Sequence, residues 1–398
     1  MIIGLVGLPS SGKSSFFKAS TLAEVDIANY PFTTIKPNEG IAYVKVDCVD
    51  KDFKTQCNPR QGYCINHNRF VPFKIIDVAG LIEGAHKGEG MGNQFLSDLN
   101  EANALIHVID ISGSTNDRGE AVEPLSHNPL KNVEILENEL DQWYLQLFTK
   151  NWDKFVKLTK QTKQKTPLAI SKQLSGLRVT EDLVKESIAK LKLKEDLAEW
   201  TSSDIYNLAH ELRIRSKPMI IAANKIDIEG AEKYFKELKE KYPEHIIIAS
   251  SAQAEIALRE AHKKELIQYI PGENNFKIIN EQKLNSNQKQ ALEYIKTQVL
   301  DKFNSTGVQD ILNQGVFNLL KYMAIFPGGM NKLEDKDGNR LPDCFLMKSG
   351  STALDFAYRI HQDIGTNFIK AFDVKTRMVI GRDHKLKNRD VIEIATRK

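Results

Sequence analysis

Short apolar runs, most of them closed by a glycine or by an acidic or amide side chain, recur through much of this chain. Met1–Val6, Ile41–Val46, Val71–Ile76, Ala104–Asp110, the run through Met219–Ala223, and His245–Ala249 each read as a short strand. Ala104–Asp110 is apolar on nearly every position, which predicts burial on both faces, as in a parallel sheet covered by helices. Between Gly113 and Arg215 the rhythm changes. Leu130, Val133, Leu136, Leu140, Trp143 or Tyr144, and Leu147 recur at helical spacing, and the segment reads as a long helix pair with shorter helices. Helical patterning covers Ser15–Ala19, Ala254–Ile270 and Asn285–Leu320, with breaks at Pro271-Gly272 and Ser305–Gly307. The C-terminal part returns to short strands at Met323–Phe326, Cys344–Lys348, Phe368–Val374, Arg377–Ile380 and Val391–Ile394. A turn is expected at Asp337–Asn339, and a helix capped from Ser349–Thr352 runs to His361.

The expected class is therefore α/β: a mostly parallel sheet with helices on both faces, a helical insertion, and a small C-terminal β domain. The expected boundaries are residues 1–112 plus 216–275 for the α/β domain and 113–215 for the insertion. Residues 276–320 are expected to form a helical connector and 321–398 the β domain. At 398 residues the chain is long enough for two or three domains. Charged residues make up 27% and the net charge is +3, which neither requires nor excludes a nucleic-acid partner. No apolar run reaches the roughly 18 residues of a membrane helix, and the first strand is too short for a signal peptide. A cytoplasmic monomer that does not enter membranes is the expectation.

The loop after the first strand carries the most specific chemistry. Gly7-Leu8-Pro9-Ser10-Ser11-Gly12-Lys13-Ser14 fits G-x-x-x-x-G-K-[ST] between a strand and a helix. Such a loop turns converging N–H groups onto phosphate oxygens, and the helix behind it adds its positive end. Gly7, Pro9, Ser10, Ser11, Gly12, Lys13, Ser14 and Ser15 are the candidate phosphate contacts. Lys13 is expected on the β- and γ-phosphates, and the Ser14 hydroxyl on Mg²⁺. Thr34, with Thr33 second, lies in a proline-bounded loop one helix later, where a switch residue would complete the Mg²⁺ shell and sense the γ-phosphate. Asp77 ends its strand where it can hold Mg²⁺ through water, and Gly80 lets a backbone N–H approach the γ-phosphate. Asn224-Lys225-x-Asp227 reads as guanine recognition: Asp227 accepts from N1–H and the amino group, Asn224 meets the N7/O6 edge, and the Lys225 stem lies along the ring. At Ser250-Ser251-Ala252 a backbone N–H, chiefly that of Ala252, is expected on guanine O6. Mg²⁺ and GTP or GDP are the implied cofactor and ligands. Leu81 stands where a Ras-like enzyme carries its water-positioning glutamine, so slow intrinsic hydrolysis is expected. His107, inside an apolar strand, is either a core histidine or a catalytic neighbour.

Two further features carry weaker signals. Cys64-x-x-His67 has zinc-ligand spacing, and Cys48 and Cys57 could complete four ligands. Cys48–Cys57–Cys64 matches no standard zinc pattern, so free thiols on a surface hairpin are the plainer reading and a disulfide a third. Lys154, Lys157, Lys160 and Lys163 repeat every third residue beside Lys165, a stripe that is either solvated or meets phosphate backbone. From Lys321 onward 15 Lys and Arg stand against 10 Asp and Glu, a modest basic excess.

Asn29-Tyr30-Pro31-Phe32-Thr33-Thr34, Asp77-Val78-Ala79-Gly80-Leu81 and Gly88-Glu89-Gly90-Met91-Gly92-Asn93-Gln94-Phe95-Leu96 resemble the Obg-type translation-factor GTPases, within them the YchF or Obg-like ATPase branch in an archaeal-looking form. Gly350–Ala357, His361, Gly381–Leu386 and Asp390 resemble a TGS β-grasp domain. The resemblance spans nearly the whole chain. It implies a Mg²⁺-dependent, GTP-hydrolysing switch linked to ribosomes, their RNA or tRNA, with the helical insertion and TGS domain as RNA-facing parts. Many YchF relatives have lost Asn-Lys-x-Asp and prefer ATP, whereas Asn224, Lys225 and Asp227 are intact and favour GTP. An Obg-like ATPase, or an RNA- or protein-binding module with a structural nucleotide, are the alternatives. Relatives usually carry Asn where Ser10 stands, a potassium-binding position in some such GTPases, which counts against potassium-stimulated hydrolysis. His107 matches a strand histidine suspected of a role in YchF hydrolysis. On this reading Lys13, Thr34, Gly80 and His107 are the catalytic candidates.

Overall fold

The computed structural model describes residues 1–22, 38–78 and 98–397, and its contacts divide the chain into two compact units. The first unit comprises Met1–Phe17, Ile75–Ala254 and Tyr294–Gly307; the second comprises Lys18–Lys74, Glu255–Glu293 and Val308–Lys398.

The first unit is built on β1 (Ile2–Val6), β5 (Ala104–Asp110), β6 (Met219–Asn224) and β7 (Ile246–Ala249), joined side by side and all parallel. The C-terminal residues of β4 (Asn68–Asp77) lie on the other side of β1. Every residue of β5 and β6 is buried, as expected of strands covered on both faces. The register decides where the chemistry sits. Val6 pairs with His107, Asp110 with Asn224 and Ala223 with Ala249, so the strands end at one common edge. The loops leaving that edge are the ones singled out in the sequence, as expected for ligand sites in open α/β sheets.

Helices cover the sheet. Lys131–Thr149 packs on Ser202–Ser216, and Leu136, Leu140, Trp143, Tyr144, Leu208 and Leu212 share one core with Leu105 of β5. The shorter helices Trp152–Thr162, Thr166–Gln173 and Glu181–Leu191 complete the insertion. Thr201 caps the Ser202–Ser216 helix through a reciprocal box with Asp204.

The second unit holds β2 (Glu39–Asp47), β3 (Tyr63–Ile65) and most of β4, with β4 between the other two. Residues 48–69 read as irregular in the sequence. The structure finds a 3-10 turn at Val49–Lys51, then β3 paired antiparallel with the start of β4. The expected helix Ala254–Ile270 also needs correction. The helix is Ala252–Lys263, and β8 (Ile267–Tyr269) pairs with β9 (Phe276–Ile278) across Pro271-Gly272. Ile267 and Tyr269 are buried while Gln268 is exposed, a strand alternation too short to compete with the helical period before it. The expected connector consequently opens on a strand.

At the C-terminus β10 (Tyr322–Pro327), β11 (Phe345–Lys348), β12 (Phe368–Asp373), β13 (Met378–Ile380) and β14 (Val391–Thr396) form a sheet in the order β11-β10-β14-β12-β13. The helix Ala353–Ile360, capped by Thr352 with Asp355, seats Phe356 against Met323, Ile325, Ala371 and Ile392. This is the small mixed β domain with one main helix that the sequence predicts. Among the described residues no helix is long and apolar enough to cross a membrane.

Candidate nucleotide-binding site

Gly7 to Ser14 leave β1 at the common strand edge and run into α1 (Lys13–Thr21), whose first helical bond joins Phe16 N–H to the Gly12 carbonyl at 2.8 Å. Gly12 has φ +89°, and a Cβ there would lie 2.2 Å from Asn224 Nδ2. Only glycine satisfies both the left-handed backbone and that close approach. Ser10 is also left-handed, and its hydroxyl donates to the Gly119 carbonyl at 2.8 Å. Pro9 packs at the same glycine. Ser14 is exposed, Ser15 half-buried, and Ser11 Oγ is buried with no hydrogen-bond partner among the described residues.

Lys13 Nζ donates to the Val78 carbonyl at 2.8 Å and lies 3.1 Å from Asp77 Oδ1. Asp77 Oδ2 is 3.5 Å from Ser14 Oγ, so the end of β4 and the start of α1 bring an ammonium, a hydroxyl and a carboxylate together. Thr33, Thr34, Gly80, Leu81 and the glycine-rich stretch after them lie outside the described residues.

The Asn224–Asp227 and Ser250–Ala252 loops are joined to this group by Asn224. Its Nδ2 donates to the Ser11 carbonyl at 3.1 Å and its Oδ1 accepts from Ala252 N–H at 3.0 Å. The sequence reading gave Asn224 to the base edge and the Ala252 N–H to guanine O6. In the structure the Ala252 N–H is directed at Asn224 Oδ1. Asn224 itself is a positioning residue that ties three loops together, with one Nδ2 hydrogen remaining. Behind them, Ser251 N–H donates to the Thr306 carbonyl at 2.9 Å, and Ser251 Oγ accepts from Ala254 N–H at the start of the Ala252–Lys263 helix. Asp227 is half-buried, and its main-chain carbonyl accepts from Tyr294 Oη at 2.7 Å.

Lys225 has φ +63°, and its Nζ donates to Asp110 Oδ2 at 2.8 Å. Ser112, Ser114 and Thr115 hydroxyls donate to the same carboxylate. Burial alone would raise the Asp110 carboxyl, but Lys225 and these hydroxyls bring it below the ordinary value. The Lys225 ammonium is thus anchored, which sets the line of its stem. Asp110 was not singled out in the sequence, nor were Tyr294 and Thr306. A signal for the first existed: an aspartate closing a buried strand just before Ser112-Gly113-Ser114-Thr115.

His107 is fully buried and neither ring nitrogen has a hydrogen-bond partner among the described residues. Burial pushes its pKa down to about 3, with Glu137 opposing and His245 adding to the shift. It shares the β5 face of Leu105 and Ile109, which pack against Leu136 and Val133 of the Lys131–Thr149 helix. A buried neutral ring under a helix favours the core reading of His107 over the catalytic one. In the second unit, Cys48, Cys57 and Cys64 cluster with Asp50, and His67 Nδ1 contacts Asp50 Oδ1 at 2.9 Å. The lysine stripe is exposed, with Lys160 paired to Asp196 at 3.2 Å.

Comparison with known proteins agrees with this layout. Family models match at residues 2–143 (50S ribosome-binding GTPase), 222–328 (Obg-like GTPase YGR210-like, G4 motif-containing domain) and 334–396 (TGS domain). A GTP-binding protein of Methanocaldococcus jannaschii is 46% identical over 99% of both chains. The ribosome-binding ATPase YchF of Buchnera aphidicola is 26% identical over 94% of this chain and 88% of its own. Among solved structures, a GTP-binding protein from Pyrococcus horikoshii is 37% identical, covers 100% of both chains and superposes with a TM-score of 0.79.

Proposed function

We propose that this chain, which belongs to the YchF-type branch of the Obg-like GTPase family, is a Mg²⁺-dependent GTPase that switches between nucleotide states on ribosomes or ribosomal subunits. One observation carries the reading: Asn224 bonds the phosphate loop at Ser11 and the base loop at Ala252 together. A single rigid frame then holds Asp227 for guanine and the Gly7–Ser14 loop for phosphates. Adenine lacks the N1–H and amino donor pair, so an intact Asp227 favours GTP over ATP.

Ser14 Oγ and Asp77 Oδ2, 3.5 Å apart and both oxygen donors, suit a hard cation. Ser14 would hold Mg²⁺ directly and Asp77 through water, and the ion would neutralise developing phosphate charge. Lys13 supplies the fixed positive charge beside them. Thr34 and the Gly80–Gly92 segment take the switch role that their sequence implies. Slow intrinsic turnover follows from Leu81 at the glutamine position. The exposed Lys154, Lys157 and Lys163, and the exposed Arg382 and Lys385 of the TGS domain, suit a phosphate backbone in ribosomal RNA or tRNA. The Buchnera relative's name points the same way. The cytoplasm and a monomeric state fit this role.

Two measurements test the proposal. GTP and ATP are competed against a fluorescent GDP; displacement by GTP at far lower concentration is expected, and equal displacement would remove the guanine preference. Co-sedimentation with ribosomes is expected with a non-hydrolysable GTP analogue and not with GDP. Equal binding in both states would reduce the nucleotide to a structural part, and absent binding in both would remove the ribosomal link.

A further inference from the structure

Between β2 and β4, in the second unit, the chain folds into a knuckle that nucleotide chemistry does not use. Cys48 follows β2, the Val49–Lys51 turn carries Asp50, Cys57 lies in the loop beyond, and Cys64 is in β3. Cys48 Sγ is 3.6 Å from Cys57 Sγ, and Cys64 Sγ is 3.9 Å from Asp50 Oδ2. The ligand atoms of all four residues lie within 4.8 Å of one another. Cys48, Asp50 and Cys57 are buried and Cys64 is half-buried.

We propose that Cys48, Asp50, Cys57 and Cys64 form a structural zinc site that holds this knuckle on the C-terminal β domain. The separations of 3.6 and 3.9 Å are close to the edges of a coordination tetrahedron. With Zn–S near about 2.3 Å and Zn–O near about 2.1 Å, the edges of such a tetrahedron are about 3.6–3.8 Å. A disulfide would need sulfurs at about 2.05 Å and would leave a third thiol beside a buried carboxylate. Three thiols with one carboxylate select a thiophilic ion over Mg²⁺ or Ca²⁺, which take oxygen ligands, and four protein ligands make a closed, structural site. His67, which the sequence spacing offered as a ligand, takes the supporting place: its Nδ1 contacts Asp50 Oδ1 at 2.9 Å. Cys57 N–H donates to Asp50 Oδ2 at 3.0 Å and fixes the carboxylate from the other side.

A buried cation offsets part of the charge. Three thiolates and a carboxylate around a divalent ion leave a net −2, which is costly in a buried place. Arg69, 1% exposed, puts Nη1 3.6 Å from Cys57 Sγ. The same guanidinium donates to the Leu341 and Pro342 carbonyls at 3.0 and 2.8 Å. Asn58 Nδ2 donates to Asn339 Oδ1 at 2.8 Å, and Arg60 pairs with Asp343. The knuckle is thus also the platform on which the 339–343 segment rests, and zinc would fix its shape.

The test uses the full chain, expressed with zinc and purified without chelator. Metal analysis is expected to give about one zinc per chain, and replacement by Co²⁺ the intense thiolate-to-metal absorption of a tetrahedral sulfur-rich site. Cys57→Ser and Cys64→Ser should each lose most of the metal, whereas Cys344→Ser should keep it. Chelation should lower the melting temperature and expose residues 48–69 to protease. Because wild-type metal content is read directly, misfolding of a variant does not decide the outcome. Wild-type protein without zinc that, once reduced, also binds neither Zn²⁺ nor Co²⁺ would overturn the proposal. Full metal retention in Cys57→Ser and Cys64→Ser would overturn it too.

Discussion

Asn224 Nδ2 donates to the Ser11 carbonyl at 3.1 Å, which makes the residue that opens the Asn-Lys-x-Asp motif a strut of the Gly7–Ser14 loop. The other end of the same amide accepts from Ala252 N–H. Replacing Asn224 by Ala removes both bonds, each worth about 1 kcal/mol, and leaves a buried N–H and carbonyl unpaired. Stability should fall by about 1–3 kcal/mol, and affinity for GTP and GDP by about 10–100-fold together, because both halves of the site loosen. Fluorescent-nucleotide titration with urea denaturation checks this; loss of base discrimination with phosphate affinity intact would show that the strut is idle.

Gly12→Ala tests the same contact from the other side. The added Cβ would meet Asn224 Nδ2 at 2.2 Å, at a φ of +89° that alanine resists. Nucleotide binding should be lost or reduced by more than about 100-fold, roughly 3 kcal/mol. Combining it with Asn224→Ala should recover little, since the backbone strain outlasts the clash. Restored binding in the double variant would assign the whole effect to crowding.

The parts of the site that could be read in the sequence are those whose chemistry is local. Gly7–Ser14, Asp77 and Asn224–Asp227 each combine a fixed motif with a strand that delivers it, and the parallel sheet brings all three to one edge. Contacts made at long range were not legible. Nothing near Ala252 says that its N–H will find Asn224, and nothing near Thr306 says that its carbonyl will take Ser251. His107 shows a different gap: the strand and its burial could be read, but the face it presents is decided by the helix laid over it. The β8–β9 hairpin escaped because three residues of alternation carry less signal than the helix before them.

Asp227→Asn should exchange one base for another. An amide at that position can no longer accept from both guanine donors, but it can donate to the 2-oxo group of xanthine. GTP affinity should drop by at least about 100-fold and XTP should become the better ligand. The Asp227 main-chain carbonyl, held by Tyr294 Oη at 2.7 Å, is unaffected, so the loop should keep its shape. Competition of GTP and XTP for labelled nucleotide is the measurement; unchanged GTP affinity would remove base recognition from Asp227.

His107 sets a pH dependence with a definite sign. Burial lowers its folded pKa to about 3, against an ordinary value of 6.5. Between those values the unfolded chain binds a proton that the folded chain does not, so stability falls as pH drops from 6.5 toward 3. By pH 5 the loss from this residue is about 2 kcal/mol. His107→Leu should flatten that part of the pH–stability curve and leave the rate of GTP hydrolysis at pH 8 within about threefold. A large fall in kcat with folding intact would return His107 to the catalytic set.

Two long helices of the insertion, Lys131–Thr149 and Ser202–Ser216, are joined by a buried ion pair. Arg213 Nε donates to Asp141 Oδ1 at 2.8 Å, and both side chains are almost completely buried. His210 Nδ1 contacts Asp141 Oδ2 at 2.8 Å, and Glu137 lies 3.4 Å from Arg213 and 3.3 Å from His245. Burial would raise the Glu137 carboxyl, and His245 with Arg213 brings it below its usual value. Arg213→Met therefore leaves the buried Asp141 and Glu137 carboxylates with only His210 and His245 beside them and should cost about 3 kcal/mol. Adding Asp141→Leu should recover most of it, because packing replaces an ion pair whose attraction was offset by desolvation. Urea denaturation of the single and double variants separates these cases. A single variant within about 1 kcal/mol of the parent would mean that His210 and His245 are partners enough for the two carboxylates.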